Sequence, residues 1–139
     1  MNKAKRYLQT LYRYEQRIAR LNDEKKSLYH SYGLGSVDYG KDRVRVSPES
    51  DASFTRIVEK IADVEIKIDR MVDQLIDERE TIIGQLEGLD NETFKQLLYL
   101  RYVKYERFEK IATSMNYTYQ WVRRLHGFAL EEFERRYLK

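Results

Sequence analysis

Apolar side chains over the first 32 positions recur in alternating steps of four and three: Tyr7, Leu11, Tyr14, Ile18, Leu21, Lys25, Leu28 and Tyr32. This a/d spacing predicts a helix over residues 3–32 that packs through a coiled-coil seam. Lys25 is the one charged member, and either sets register or snorkels its ammonium outward. Gly33-Leu34-Gly35-Ser36 supplies a glycine where a helix C-cap needs one. No period survives from 33 to 50, where three glycines and the only proline, Pro48, fall. That stretch reads as a mobile loop, with Val44-Arg45-Val46 as an isolated strand candidate. Periodicity resumes at Pro48 or Ser50 and runs to about Glu87. Ile57, Ile61, Val64, Ile68, Met71, Leu75 and Ile82 continue a heptad seam that Glu78 interrupts. Phe54, Val58, Val72, Ile76, Ile83 and Leu86 form a second stripe beside it, a breadth that predicts burial against more than one helix. Two such helices around a loop pack most simply as an antiparallel hairpin.

Asp90 or Asn91 can cap a third helix over about Glu92 to Val103, which places a boundary near residue 90. Beyond it the pattern shortens. Phe108 to Met115 reads as a short helix with Ile111, Ala112 and Met115 on one side. Asn116 and Tyr117 fill a tight corner, and asparagine tolerates the left-handed backbone such corners often require. Thr118 is a natural N-cap for the helix that follows. At about 100° per residue and with Tyr119 at zero, Arg123 falls near ~40°, Gly127 near ~80°, Gln120 near ~100° and Arg124 near ~140°. Val122, Leu125, Ala129 and Phe133 fall between roughly 240° and 320°. One face is therefore apolar, and the opposite face carries Tyr, Gln, two Arg and a Gly. Trp121 and Phe128 lie between the two, either packed on neighbouring helices or open to a partner.

That division suits a recognition helix whose N-terminal polar side chains reach base edges in the major groove. Arginine matches guanine O6/N7 and glutamine matches adenine N6/N7, each through two hydrogen bonds. Gly127 costs about 1 kcal/mol in a helix interior, and close approach of a neighbour or a phosphate is a reason to keep it. The competing reading is a solvated face on an ordinary helical bundle.

Composition and charge narrow the class. The chain has 139 residues, six glycines, one proline and 35% charged residues, which fits long helices rather than a β-rich or disordered chain. Net charge is +5 over residues 1–32, −6 over 51–90 and +4 over 91–139. The first two segments are complementary, and the last is modestly basic. Cysteine is absent, which removes disulfide and thiolate chemistry. There is no signal-peptide core and no membrane-length apolar run, so the expectation is a soluble, cytoplasmic protein.

Candidate catalytic chemistry is thin. Asp69, Asp73 and Asp77 share a helix face, with Asp63 and Glu80 nearby, but divalent sites need carboxylates converging from several segments. His30 and His126 stand alone without zinc spacing. Gly33-x-Gly35 lacks the lysine of a phosphate loop. The expectation is a non-enzyme that uses neither metal nor cofactor.

The stretch LLYLRYVKYERFEKIATSMNYTYQWVRRLHGFALEEF resembles region 4 of bacterial sigma factors. The resemblance rests on Leu98, Leu100, Arg101 and Tyr102; on Ile111 and Ala112; on Thr118; on Val122, Arg123 and Leu125; and on Ala129 with Leu130. Asn116 stands where glycine is usual at the turn. The whole chain is similar to small phage and prophage late-gene, autolysin-type regulators of Gram-positive bacteria. The chain is expected to be all-α, with a helical hairpin over 1–90 read from the two seams and a three-helix helix-turn-helix module over 91–139 that the resemblance implies. The resemblance also implies a transcriptional regulator of phage or prophage genes that reads duplex DNA in a bacterial host. Tyr119, Gln120, Arg123 and Arg124 would face the bases. Thr118, Lys110, Arg107 and Gly127 would position the backbone. Trp121, Phe128 and the seam residues Ile61, Ile68 and Leu75 are the expected oligomer or partner contacts, a dimer being favoured. RNA polymerase is the other partner the hairpin would meet. The alternatives are an oligomeric phage assembly protein of the small DNA-packaging type, and a module that binds only protein.

Overall fold

A computed structural model describes residues 2–31 and 48–138. The expected loop and the Val44–Val46 strand candidate fall mostly outside the described residues, as does Tyr32. The chain is all-α, with no strand among the described residues. Its helices are α1 (Lys3–Leu8), α2 (Thr10–Ser31), α3 (Pro48–Glu87), α4 (Glu92–Leu98), α5 (Phe108–Met115) and α6 (Tyr119–Tyr137), with a π-helical turn at Tyr99–Val103 after α4. None is long and apolar enough to cross a membrane.

The first expected helix is interrupted at Gln9, whose N–H still bonds to Lys5 O and whose own carbonyl accepts from Arg13 N at 3.1 Å. The interruption is one residue wide. Asn2 caps α1, its Oδ1 accepting from Lys5 N at 3.2 Å.

Two compact units divide the chain, Met1–Glu15 with Gln74–Lys139, and Gln16–Asp73. The boundary expected near residue 90 is therefore displaced. The reason is a single core that draws in the chain's beginning. Ala4, Leu8 and Leu11, spaced four and three apart, are buried with Ile82, Leu86 and Leu89 and with Ala129, Leu130 and Phe133. Residues 91–139 do not enclose a core of that size alone. Tyr7 ties the segments further: its ring stacks on Phe133 at 5.9 Å, and its hydroxyl donates to Gln85 Oε1 at 2.7 Å. Gly88 permits a close approach here, since a Cβ at that position would collide with the Tyr137 hydroxyl.

In the second unit, Ile57, Ile61, Val64 and Met71 are buried, while Ile18, Leu21, Lys25 and Leu28 are half-buried. Tyr29 Oη donates to Glu65 at 3.4 Å, so α2 and α3 are neighbours at that level. The seam residues expected as oligomer contacts are largely covered within the chain. Ile61 is 7% exposed, Ile68 is half-buried, and Leu75 packs against the core of the first unit. An a/d seam already matched by a helix of its own chain leaves little for a second copy. The stripe beside it is divided: Leu86 is buried, and Val72 and Ile83 are half-buried. Phe54, Val58 and Ile76 remain exposed, because no second helix among the described residues covers them.

Candidate nucleic-acid interface

Asn91 starts the segment that carries the candidate site, its Oδ1 accepting from Thr93 N at 2.9 Å and Phe94 N at 3.1 Å. α4 then widens into the π-helical turn, where Lys104 N bonds to Tyr99 O, five residues back. The connection ends at Tyr105, which adopts φ 58°. A left-handed residue with a Cβ costs roughly 1–2 kcal/mol. Its ring lies 5.5 Å from that of Tyr12, a contact that helps hold the conformation.

α5 and α6 meet at a corner fixed by hydrogen bonds. Asn116 is left-handed at φ 60°, ψ 41°. Tyr117 N bonds to Ala112 O at 3.0 Å and Asn116 N to Thr113 O at 3.3 Å, the paired pattern that satisfies the last carbonyls of a helix. Asparagine does here what glycine usually does. Thr118 follows in extended backbone, and its Oγ1 accepts from Trp121 N at 3.1 Å, capping α6. Ile111, Ala112, Val122, Leu125 and Leu97 bury together beneath the corner.

This packing sets what α6 shows to solvent. Tyr119, Gln120, Arg123, Arg124 and Gly127 are all exposed, on one face of the first two and a half turns. The face does not continue to the helix end. Leu130, near ~20° on the same wheel, is 3% exposed and belongs to the core with Ala4 and Leu8. Among the described residues Arg124 has no ion-pair partner. Arg123 is held: its Nη1 donates to Tyr119 Oη at 3.0 Å, and its guanidinium lies 5.5 Å from the Phe108 ring centre. Arg101 lies over the same ring at 4.1 Å, and its Nη1 donates to Glu106 O at 3.0 Å. At the start of α5, Arg107 is exposed, and Lys110 pairs with the half-buried Glu106 at 3.5 Å, the lysine end of the bridge lying in solvent. Trp121 and Phe128 are 41% and 47% exposed, so they do not complete a core.

His126 has aromatic partners that its sequence spacing does not reveal. It shares a 2.6 Å hydrogen bond with the Tyr102 hydroxyl, stacks on the Tyr102 ring at 5.7 Å and meets the Phe108 ring edge-on at 4.9 Å. Burial, then Arg101, Lys5 and Arg123, lower its pKa to about 4, so the ring is neutral at pH 7. Burial likewise raises Tyr102 to about 12. The clue in the sequence was the position of His126 near ~340° on the α6 wheel, bordering the apolar sector. Its partners come from the π-helical turn and α5, which no local pattern connects to it.

Gly127 has no close neighbour: a Cβ there would meet no heavy atom within 4 Å. Packing against the described residues therefore does not explain it. Gly127→Ala is expected to stabilise the protein by about 0.5–1 kcal/mol through helix propensity, read as a higher denaturant midpoint. A lower midpoint would contradict the open surroundings.

Among the described residues no group of three or more Asp, Glu or His is placed to hold a metal ion. Compared with known proteins, the chain matches no family model, no curated protein and no solved structure.

Proposed function

We propose that the chain is a sequence-reading double-stranded DNA-binding protein, a transcriptional regulator of phage or prophage genes, with α6 in the major groove. The observation that carries this reading is the exposed face of Tyr119, Gln120, Arg123 and Arg124 on a capped helix that follows a tight left-handed corner. A major groove about 12 Å wide admits one such helix. Gln120 and the exposed Arg124 are the base readers. Arg123, steadied by Tyr119 and Phe108, reaches the duplex with little side-chain freedom left to lose. Arg107, Lys110 and Thr118 border the groove and take phosphates. The phage setting, and RNA polymerase as a second partner, come from the resemblance to sigma region 4 and to prophage regulators.

The test is selection of bound duplexes from a random pool at two salt concentrations. A discrete enriched motif is expected, and it should be lost in an Arg123→Ala, Arg124→Ala double variant. Each bidentate base contact removed should weaken binding to the preferred site by about 1–3 kcal/mol. Binding without a motif and with a steep salt slope would mean phosphate contact alone, which would overturn sequence reading and favour a packaging-type role. No binding at any salt would leave α6 as a protein-contact surface.

A further inference from the structure

Trp121 and Phe128 belong to a stripe with an internal symmetry. With Tyr119 at zero, Arg124, Arg135, Phe128, Trp121 and Glu132 fall near ~140°, ~160°, ~180°, ~200° and ~220°. They occupy a sector apart from the apolar one. Trp121 and Phe128 are exposed, as are Arg124 and Arg135, and Glu132 is partly so. Counted outward from Phe128, four residues in either direction lead to Arg124 and Glu132, and seven lead to Trp121 and Arg135. Each cation on one arm is thus matched on the other by a carboxylate or by an aromatic ring.

We propose that a second copy of this chain docks on this stripe, α6 against α6, antiparallel about a two-fold axis beside Phe128. At 1.5 Å rise per residue, Arg124 comes level with Glu132 of the other copy about 6 Å from the axis, and Trp121 comes level with its Arg135 at about 10 Å. The pairing is isologous, every contact occurring twice. Phe128 meets its equivalent, Arg124 pairs with a carboxylate, and Trp121 receives a guanidinium on its face. Register is specified, because a shift by one turn sets Arg124 level with Phe128 and removes both ion pairs. Glu132 already binds Arg135 of its own chain at 2.6 Å, and a carboxylate has lone pairs for a second guanidinium.

The interface is small. The exposed parts of the four rings come to on the order of 400 Å², and a stable interface buries above about 1,000 Å². The dimer is therefore weak and reversible. Arg124 is also a base reader, so a docked copy and a duplex compete for α6. That consequence rests on the DNA reading, whereas the association itself is measured without DNA.

Sedimentation equilibrium of the full chain from about 10 μM to about 1 mM, the range where interfaces of this size associate, tests the proposal. The wild type is expected to show a monomer–dimer equilibrium. Phe128→Asp should abolish it, and Arg124→Glu or Glu132→Arg alone should weaken it at least about tenfold. The double variant Arg124→Glu, Glu132→Arg should return to within about threefold of wild type, since reversing both charges restores each pair. Circular dichroism checks that helicity is kept; where a charge reversal loses it, Trp121→Gln and Phe128→Gln replace that variant. A wild type that stays monomeric to the highest concentration overturns the proposal. So does a dimer indifferent to these substitutions, or a double reversal that restores nothing.

Discussion

Phe133→Ala is expected to destabilise the unit formed by the two ends of the chain by about 3–5 kcal/mol, the range for emptying a buried aromatic site. The side chain is fully buried, stacked on Tyr7 from α1 and 5.0 Å from the ring of Tyr137. It also shares its core with Ile82 and Leu86 at the end of α3. The cavity would open where three separate stretches of chain meet, so collapse around it requires moving helices rather than one side chain. Denaturant titration followed by the fluorescence of Trp121, the only tryptophan, reads this unit directly. Amide exchange at Ala4–Leu11 should accelerate with it, because α1 has its apolar contacts in this core. A loss below about 1 kcal/mol, or unchanged protection of α1, would mean that α1 and α6 do not depend on one another.

The same core explains which parts of the fold could be read from sequence. Several helices announced themselves: period placed α3 to its ends, and Asn116 and Thr118 marked the corner before α6. The buried sector of α6 at Val122, Leu125, Ala129 and Phe133 followed from the wheel alone. Local pattern failed where a residue's environment is set by segments distant in sequence. Ala4 and Leu8 gave no sign that they would close a core with Ala129 and Leu130, so the boundary near residue 90 was misplaced. Leu130 lies on the wheel beside Tyr119, yet it is buried because α1 covers that end of α6. Phe54 and Val58 show the converse error, apolar positions with period but no covering helix. For the candidate site, the exposed Tyr119, Gln120, Arg123 and Arg124 were legible, being a matter of one helix and its underside. The Phe108 ring shared by Arg101 and Arg123, and the Tyr102–His126 bond, were not. They depend on how a π-helical turn and the left-handed Tyr105 aim neighbouring side chains.

That buried pair leads to the second large effect, a loss of stability at mildly acidic pH that passes through His126. Its pKa is about 4 in the folded chain and close to 6.5 when unfolded. A base whose folded pKa is depressed favours the unfolded state wherever only that state binds the proton. Above about pH 6.5 both states hold a neutral ring, and the group leaves stability unchanged. As pH falls from 6.5 toward 4 the unfolded chain takes up the proton first, and stability drops by about 1.4 kcal/mol per pH unit, to an upper bound of roughly 3.5 kcal/mol. Below about 4 both states are protonated and the loss levels off. Each group around the ring opposes protonation: burial between Tyr102 and Phe108 removes water, and Arg101, Lys5 and Arg123 supply like charge. His126→Gln keeps a hydrogen-bonding side chain for Tyr102 and removes the titration. The wild type and this variant should therefore differ by a constant amount above pH 7 and converge, or cross, by pH 4. The ring resonances of His126 should show no inflection near pH 6.5 in the folded protein. Parallel stability curves, or a ring titrating at its ordinary value, would mean that His126 is open to water and that the cationic cluster beside α6 is looser than these distances require.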